Sequence, residues 1–215
     1  MRIRIRDECV ALLPERAMFW PTHSLLVVAD CHLGKAETFQ QQGLWLPSQS
    51  GQQDLTRLSA LVLSVDAQHV LFLGDLVHSL SGVTDAVVAE FARWLHEFSG
   101  SVRVVLGNHD GGLARRWPKE WVKAERCDQV TIAPFRFKHQ PIEGTVEADT
   151  FYWVGHVHPM IQLAQGPDRV RLPAFVINDR QGVLPAFSSV SGGYDAPLRP
   201  DERRFAIGGD RIYEL

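Results

Sequence analysis

Five short stretches hold residues whose types and spacing could do chemistry: Asp30-Cys31-His32, Gly74-Asp75, Gly107-Asn108-His109-Asp110, the lone His139, and Gly155-His156-Val157-His158. With His109, Asp110 and Cys31 set aside, they offer two carboxylates (Asp30, Asp75), one amide oxygen (Asn108) and four imidazoles (His32, His139, His156, His158). Mixed nitrogen and oxygen donors without thiolate suit Mn2+, Fe, Co or Zn2+ in a catalytic rather than a structural site. These donors suffice for two ions that share one of them. Two metals ~3.5–4 Å apart are the arrangement for in-line attack of a bridging hydroxide on phosphorus. Amide, imidazole and carboxylate in succession, as in Asn108-His109-Asp110, are costly to place at a strand end unless something charged binds there.

The elements needed to position these groups are written in the apolar pattern. Ser24 to Ala29 (SLLVVA), Val70 to Leu73 and Val102 to Leu106 are continuous apolar runs, the mark of buried strands, and each delivers one polar turn at its carboxyl end. Helices are expected between them: one around Ala36 to Gln42, one from about Ser48 to Val65 with Leu55, Leu58, Leu61 and Val62 on one stripe, and one capped by Thr84 and stopped by Gly100. Strand, polar turn and helix in repetition imply a parallel sheet whose sites lie at the carboxyl ends of its strands. Residues 1–20 read as two or three short strands around Pro14. The second half is β-rich, with short runs at Val130–Ile132, Phe135–Lys138, Phe151–Val154, Ile161–Ala164, Val170–Leu172, Ala174–Ile177, Phe205–Ile207 and Arg211–Tyr213. A second sheet packed on the first is expected, within one domain spanning residues 1–215.

Composition bounds the function. The chain has 215 residues, 45% hydrophobic and 22% charged, with a formal net charge of −3. That balance argues against a protein that coats nucleic acid by bulk charge, yet allows local grip on a few phosphates. No apolar stretch approaches the ~20 residues that cross a bilayer, so no membrane partner is expected. The N-terminal Met1-Arg2-Ile3-Arg4-Ile5-Arg6 lacks the apolar core of a signal peptide, and Cys9, Cys31 and Cys127 form no paired framework. A cytoplasmic location is the expectation.

The series DxH, GD, GNHD, a lone His and GHxH over residues 24–160 resembles that of the calcineurin-like metallophosphoesterases. The resemblance implies a four-layer α/β/β/α sandwich of two mixed sheets flanked by helices. It also implies two divalent metal ions, Mn2+ foremost. Asp30, His32, Asp75 and His158 would hold one, with Asp75 bridging, and Asn108, His139 and His156 the other. By the same resemblance His109 is the acid that protonates the leaving oxygen, and Asp110 orients it. Asp110 could instead cap the following turn. GDLVH and GNHD differ from the GDxVDRG and GNHE of the protein Ser/Thr phosphatases. A histidine three residues after Asp75 is similar to the double-strand-break repair nucleases of this superfamily, where the equivalent of His78 faces the substrate. Asp30-Cys31-His32-Leu33-Gly34-Lys35 and the segment Leu184 to Gly193 resemble the smaller ligase-associated DNA-damage-response endonucleases. That group implies a DNA or other phosphodiester substrate, and a DNA ligase and a helicase encoded nearby. The rival readings are a small-molecule phosphodiesterase acting on cyclic nucleotides or nucleotide polyphosphates, and a scaffold with this fold.

Other residues invite plainer readings. His23, His69 and His96 have no motif around them, and Cys31 is expected to be a buried spacer. Trp117 and Trp121 are expected in the core rather than stacked on a base. Arg115 and Arg116 are equally suited to DNA-backbone contact and to solvent, and Ser188 to Gly193 to a plain turn.

Overall fold

The computed structural model describes residues 1–44, 46, 49–144, 149–165, 168–195 and 199–215. The chain begins with β1 (Arg2–Ile5), β2 (Glu8–Leu13) and β3 (Ala17–Trp20), which pair antiparallel. The two-residue turn between β1 and β2 places Arg6 and Asp7 at φ 47° and 67°, the primed geometry that matches strand twist. Next come β4 (Leu25–Val28), α1 (Lys35–Gln41), α2 (Ser50–Val65), β5 (His69–Leu73), α3 (Asp85–Glu97), β6 (Ser101–Val105), α4 (Gly111–Ala114) and β7 (Ala124–Cys127). Helix α2 was expected from Ser48, which lies outside the described residues. Thr84 caps α3, its side-chain oxygen accepting the Val87 N–H, as its position suggested.

The first sheet runs in the order β1-β2-β3-β4-β5-β6-β7, antiparallel as far as β4 and parallel from β4 to β7. Strand β7 was not legible in the sequence, because Ala124-Glu125-Arg126-Cys127 at the sheet edge buries only its alanine fully. Alternation along the central strands sends Leu26, Val28, Val70, Phe72, Val102 and Val104 to one face. There they meet the apolar stripes of α2 (Leu55, Leu58, Leu61, Val62) and α3 (Val87, Phe91, Trp94, Leu95).

The opposite face, with Leu25, Val27, Leu71, Leu73 and Val105, packs on the second sheet. That sheet comprises β8 (Val130–Ile132), β9 (Phe135–Phe137), β10 (Phe151–Val154), β11 (Pro159–Gln165), β12 (Asp168–Ile177), β13 (Gln181–Val183), β14 (Tyr194–Asp195), β15 (Arg203–Gly208) and β16 (Arg211–Glu214). Phe135, Phe137, Phe151, Trp153, Phe175 and Phe205 fill the space between the sheets. The fold is thus the expected sandwich of two mixed sheets with helices. Val170–Leu172 and Ala174–Ile177, expected as two strands, are parts of the single strand β12. Pro173 sits where β12 passes from its partner β11 to its partner β15, a place where a missing N–H breaks no continuous ladder.

Past β13 the chain runs beside the end of β4: Ala186 bridges Ala29, and the Phe187 N–H donates to the Ala29 carbonyl (2.7 Å). Arg57 of α2 donates to the Phe187 carbonyl and stacks over its ring. Asp54 accepts the Ser189 N–H, and Arg16 donates to the Ser188 carbonyl. No helix among the described residues is long and apolar enough to cross a membrane.

Candidate metal centre

Most of the donors sit on irregular backbone just past the strand ends. In the structure Asp30, His32, Asp75, His156 and His158 all take positive φ, between 46° and 70°. Left-handed backbone costs a non-glycine residue roughly 1–2 kcal/mol, and it persists only where the surroundings enforce it. Here the loops enforce one another. The Asp30 and His32 N–H groups donate to the carbonyls of Gly74 (3.1 Å) and Asp75 (2.9 Å). The Asp30 carboxylate accepts the His156 N–H (2.9 and 3.2 Å), and Asp75 Oδ1 accepts the His109 N–H (2.9 Å). The glycines of the motifs make this close approach possible. A side chain on Gly107 would collide with the Asp75 carboxylate, and one on Gly74 with the His139 ring.

Two donor groups result, Asp30/His32/His158 and Asp75/His139/His156, each with its ligand atoms within 4.8 Å of one another. His32 Nε2 lies 3.2 Å from His158 Nε2, and His158 Nε2 lies 3.4 Å from Asp30 Oδ1. In the second group His139 Nε2 is 3.2 Å from His156 Nδ1 and 3.4 Å from Asp75 Oδ1. Asn108 Oδ1 joins it, 2.9 Å from His139 Nε2. Bonds of about 2.1 Å at 90–109° hold adjacent ligand atoms about 3.0–3.4 Å apart, so both sets have the spacing of ligands around one ion. The groups are neighbours, since Asp30 Oδ1 also lies 3.8 Å from His139 Nδ1.

The electrostatics agree. Asp30 and Asp75 are 0% and 2% exposed, and the groups facing them are imidazoles. Burial pulls His139 and His158 down, but the carboxylates bonded to them, Asp75 and Asp30, outweigh it and raise both. The direction marks a negative potential at both imidazoles, the field that a divalent cation would meet. Burial also raises Asp75, yet its contacts with His139 and His109 leave it lowered, in the anionic form a metal needs. His32 is held neutral, lowered to about 3 by burial and by His158, and its buried Nδ1 has no hydrogen-bond partner among the described residues. The residues present therefore fit two divalent cations. All seven donors singled out in the sequence come together here.

His109 and His78 lie beside the donors. The His109 ring donates from Nδ1 to the His78 carbonyl (2.6 Å), because a carbonyl only accepts; its Nε2 faces Asp75 Oδ2 at 3.8 Å. The His78 ring stacks on it with centroids 5.4 Å apart, and His32, His78 and His109 form a further close group.

Asp110 departs from its expected role. Its Oδ2 accepts the N–H groups of Gly107 (2.9 Å) and Leu76 (3.2 Å), and its Oδ1 that of Val77 (3.1 Å). Burial raises its pKa despite these bonds, and it ties the loop after β5 to the loop after β6. The His109 ring is oriented by the His78 carbonyl instead, a partner for which a sequence holds no signal because every residue has one.

The remaining candidates sit in plain surroundings. Cys31 is buried, Trp121 is fully buried with Nε1 donating to the Val88 carbonyl, and Trp117 Nε1 donates to the Trp121 carbonyl. Arg115 and Arg116 are exposed. His23 packs on Trp20 and His69 bonds Ser101.

Comparison with known proteins gives three findings. Among solved structures, nuclease MPE of Pseudomonas putida superposes with a TM-score of 0.83 at 29% sequence identity, covering 100% of this chain and 99% of that one. Yfce, a phosphoesterase from E. coli, gives a TM-score of 0.44 at 15% identity, over 89% of this chain and 97% of that one. No curated protein sequence matches. The family model described as calcineurin-like phosphoesterase matches residues 23–162, a span that begins one residue before the Ser24–Ala29 run and closes after the GHxH pair, and the chain belongs to that family.

Proposed function

We propose that the protein is a two-metal phosphodiesterase that cuts DNA. The observation that carries the chemistry is the pair of neighbouring donor groups, Asp30/His32/His158 and Asp75/His139/His156 with Asn108. When bound, two divalent cations, Mn2+ in this reading and Fe, Co or Zn as alternatives, supply a nucleophilic water and neutralise charge on the phosphoryl oxygens. The protein's residues do the rest. Asp30 and Asp75, one in each donor group, provide the anionic charge of the site. The Asn108 amide stands where a phosphoryl oxygen arrives. His109, its Nδ1–H fixed on the His78 carbonyl, presents Nε2 as the position from which a proton passes to the leaving oxygen. The His78 ring packs against His109, and in this reading it meets the substrate beside that acid.

Two features favour a DNA substrate. The likeness to a nuclease runs through the whole of both chains. His109 and His156 are exposed at the rim of the site, so a strand can run across it. A DNA ligase and a helicase as functional partners, and a cytoplasmic setting, belong to the same proposal.

The test is nicking of circular single-stranded and supercoiled DNA by metal-stripped protein reloaded with Mn2+, beside Asp75→Asn, with bis-p-nitrophenyl phosphate in parallel. Cutting of the circles by wild type and not by Asp75→Asn is the expected result. Cleavage of the small diester alone would remove DNA from the reading and point to nucleotide-sized substrates. Inactivity on both substrates, with no metal retained, would make the protein a scaffold.

A further inference from the structure

A lysine stands at the edge of the metal centre with no acidic partner among the described residues. Lys35, the first residue of α1, donates its backbone N–H to the His32 carbonyl (3.1 Å) and its ammonium to Ser191 Oγ (3.1 Å). The next residue, Gly192, accepts a hydrogen bond from His158 Nδ1 (3.1 Å), and His158 Nε2 closes the ring on His32 Nε2 at 3.2 Å. The ammonium is thus fixed one residue outward from the Asp30/His32/His158 group, by a segment that the Asp54–Ser189 bond anchors. Among the described residues it makes no ion pair, and its one side-chain hydrogen bond is to Ser191. Burial lowers its pKa, and no carboxylate offsets that.

A half-buried, unpaired cation beside a site built for cations costs free energy and opposes metal loading. It makes sense when an anion arrives with the substrate. We propose that Lys35, held by Ser191, grips the phosphate one nucleotide away from the scissile one, making this a subsite for a phosphodiester chain. The proposal rests on the phosphodiesterase reading above and adds to it the need for a neighbouring phosphate. The ammonium has two N–H donors beyond the one given to Ser191, enough for a phosphate oxygen. Its place outside both donor groups leaves the scissile phosphate to Asn108 and His109.

The test reads binding separately from cleavage. Metal-free protein is titrated against a fluorescein-labelled oligothymidylate at several salt concentrations, as wild type, Lys35→Ala, Lys35→Arg and Ser191→Ala. Losing one phosphate contact on a single strand lowers the slope of log K against log salt by about 0.7. Lys35→Ala should show that fall with roughly tenfold weaker binding. Lys35→Arg should keep the slope, and Ser191→Ala should keep it with intermediate affinity. An unchanged slope in Lys35→Ala overturns the proposal, as does a Lys35→Arg protein that loses as much slope as Lys35→Ala. Wild type that fails to bind the oligonucleotide overturns it too. Wild type that binds with a Lys35-dependent slope, yet cuts no DNA when loaded with Mn2+, would sink the nuclease reading and leave this contact standing.

Discussion

Asp110→Asn separates a scaffold residue from a chemical one. The carboxylate is fully buried and receives three backbone N–H groups, from Gly107 and Leu76 on Oδ2 and from Val77 on Oδ1. An asparagine that keeps its oxygen at the Oδ2 position retains the first two. Its amide nitrogen then points at the Val77 N–H, donor against donor, and leaves both without an acceptor. An unsatisfied buried donor costs about 1–3 kcal/mol, so the pair costs about 2–4 kcal/mol after partial relaxation. For a chain of this size that is a fall in melting temperature of roughly 5–15 °C. The assay is thermal unfolding in EDTA beside Mn2+-dependent nicking of supercoiled DNA at 20 °C, well below the transition, because an alkoxide leaving group needs the acid. The His109 ring does not touch Asp110, so turnover of the folded variant should stay within about fivefold of wild type, against the 100-fold or more that general acid catalysis supplies. A variant with unaltered melting temperature and a thousandfold lower turnover would refute this reasoning and restore the orienting role suggested by the sequence.

Two further outcomes follow from the site. His109→Gln should lose roughly 10²–10⁴ in kcat/KM on DNA, and much less on bis-p-nitrophenyl phosphate, because nitrophenolate leaves without a proton; equal losses on both would remove the acid role. In the metal-free protein His32 is lowered to about 3, below its ordinary 6.5, so the unfolded chain takes up the proton first. The stability it contributes is complete above pH 6.5 and drains away as the pH falls toward 3, by at most about 1.4 kcal/mol per unit. His139 and His158, raised, act in the opposite sense near and above pH 6.5. Urea unfolding at pH 4.5 and 7 should therefore show a smaller acid loss in His32→Asn than in wild type; an identical loss would contradict the burial of a neutral imidazole there.

What the sequence revealed was whatever lies close together in it. The apolar runs before Asp30, Asp75 and Gly107 announced buried parallel strands, and the polar turns after them announced a shared edge, because parallel strands put their carboxyl ends together. Strand β7 was hidden because an edge strand needs few apolar residues, and β12 looked broken because Pro173 marks a change of partner rather than an end. The donors were legible by residue type, but the left-handed backbone that turns them inward was not, since any residue can be forced there by its neighbours. The pairing of Lys35 with Ser191 spans 156 residues and carries no local pattern. Asp110 was misread for a related reason: its partners are backbone N–H groups from two loops, and amides are present everywhere.

The segment beside β4 has a consequence for the order of events during folding. Asp30, His32, Asp75 and Asn108 belong to the first half of the chain, but His139, His156 and His158 belong to the second. Asp30 itself rests on Gly74, on His156 and on the Phe187–Ser188 segment that Asp54 and Arg57 pin in place. Loop closure over such separations comes late, because its entropy must be met before the contacts reward it. A growing chain that has released only its first sheet holds two carboxylates, one imidazole and one amide of the set, spread over loops that lack the contacts from His156 and Ser188. Neither donor group is complete until the last third has docked, so a half-made copy lacks the site altogether.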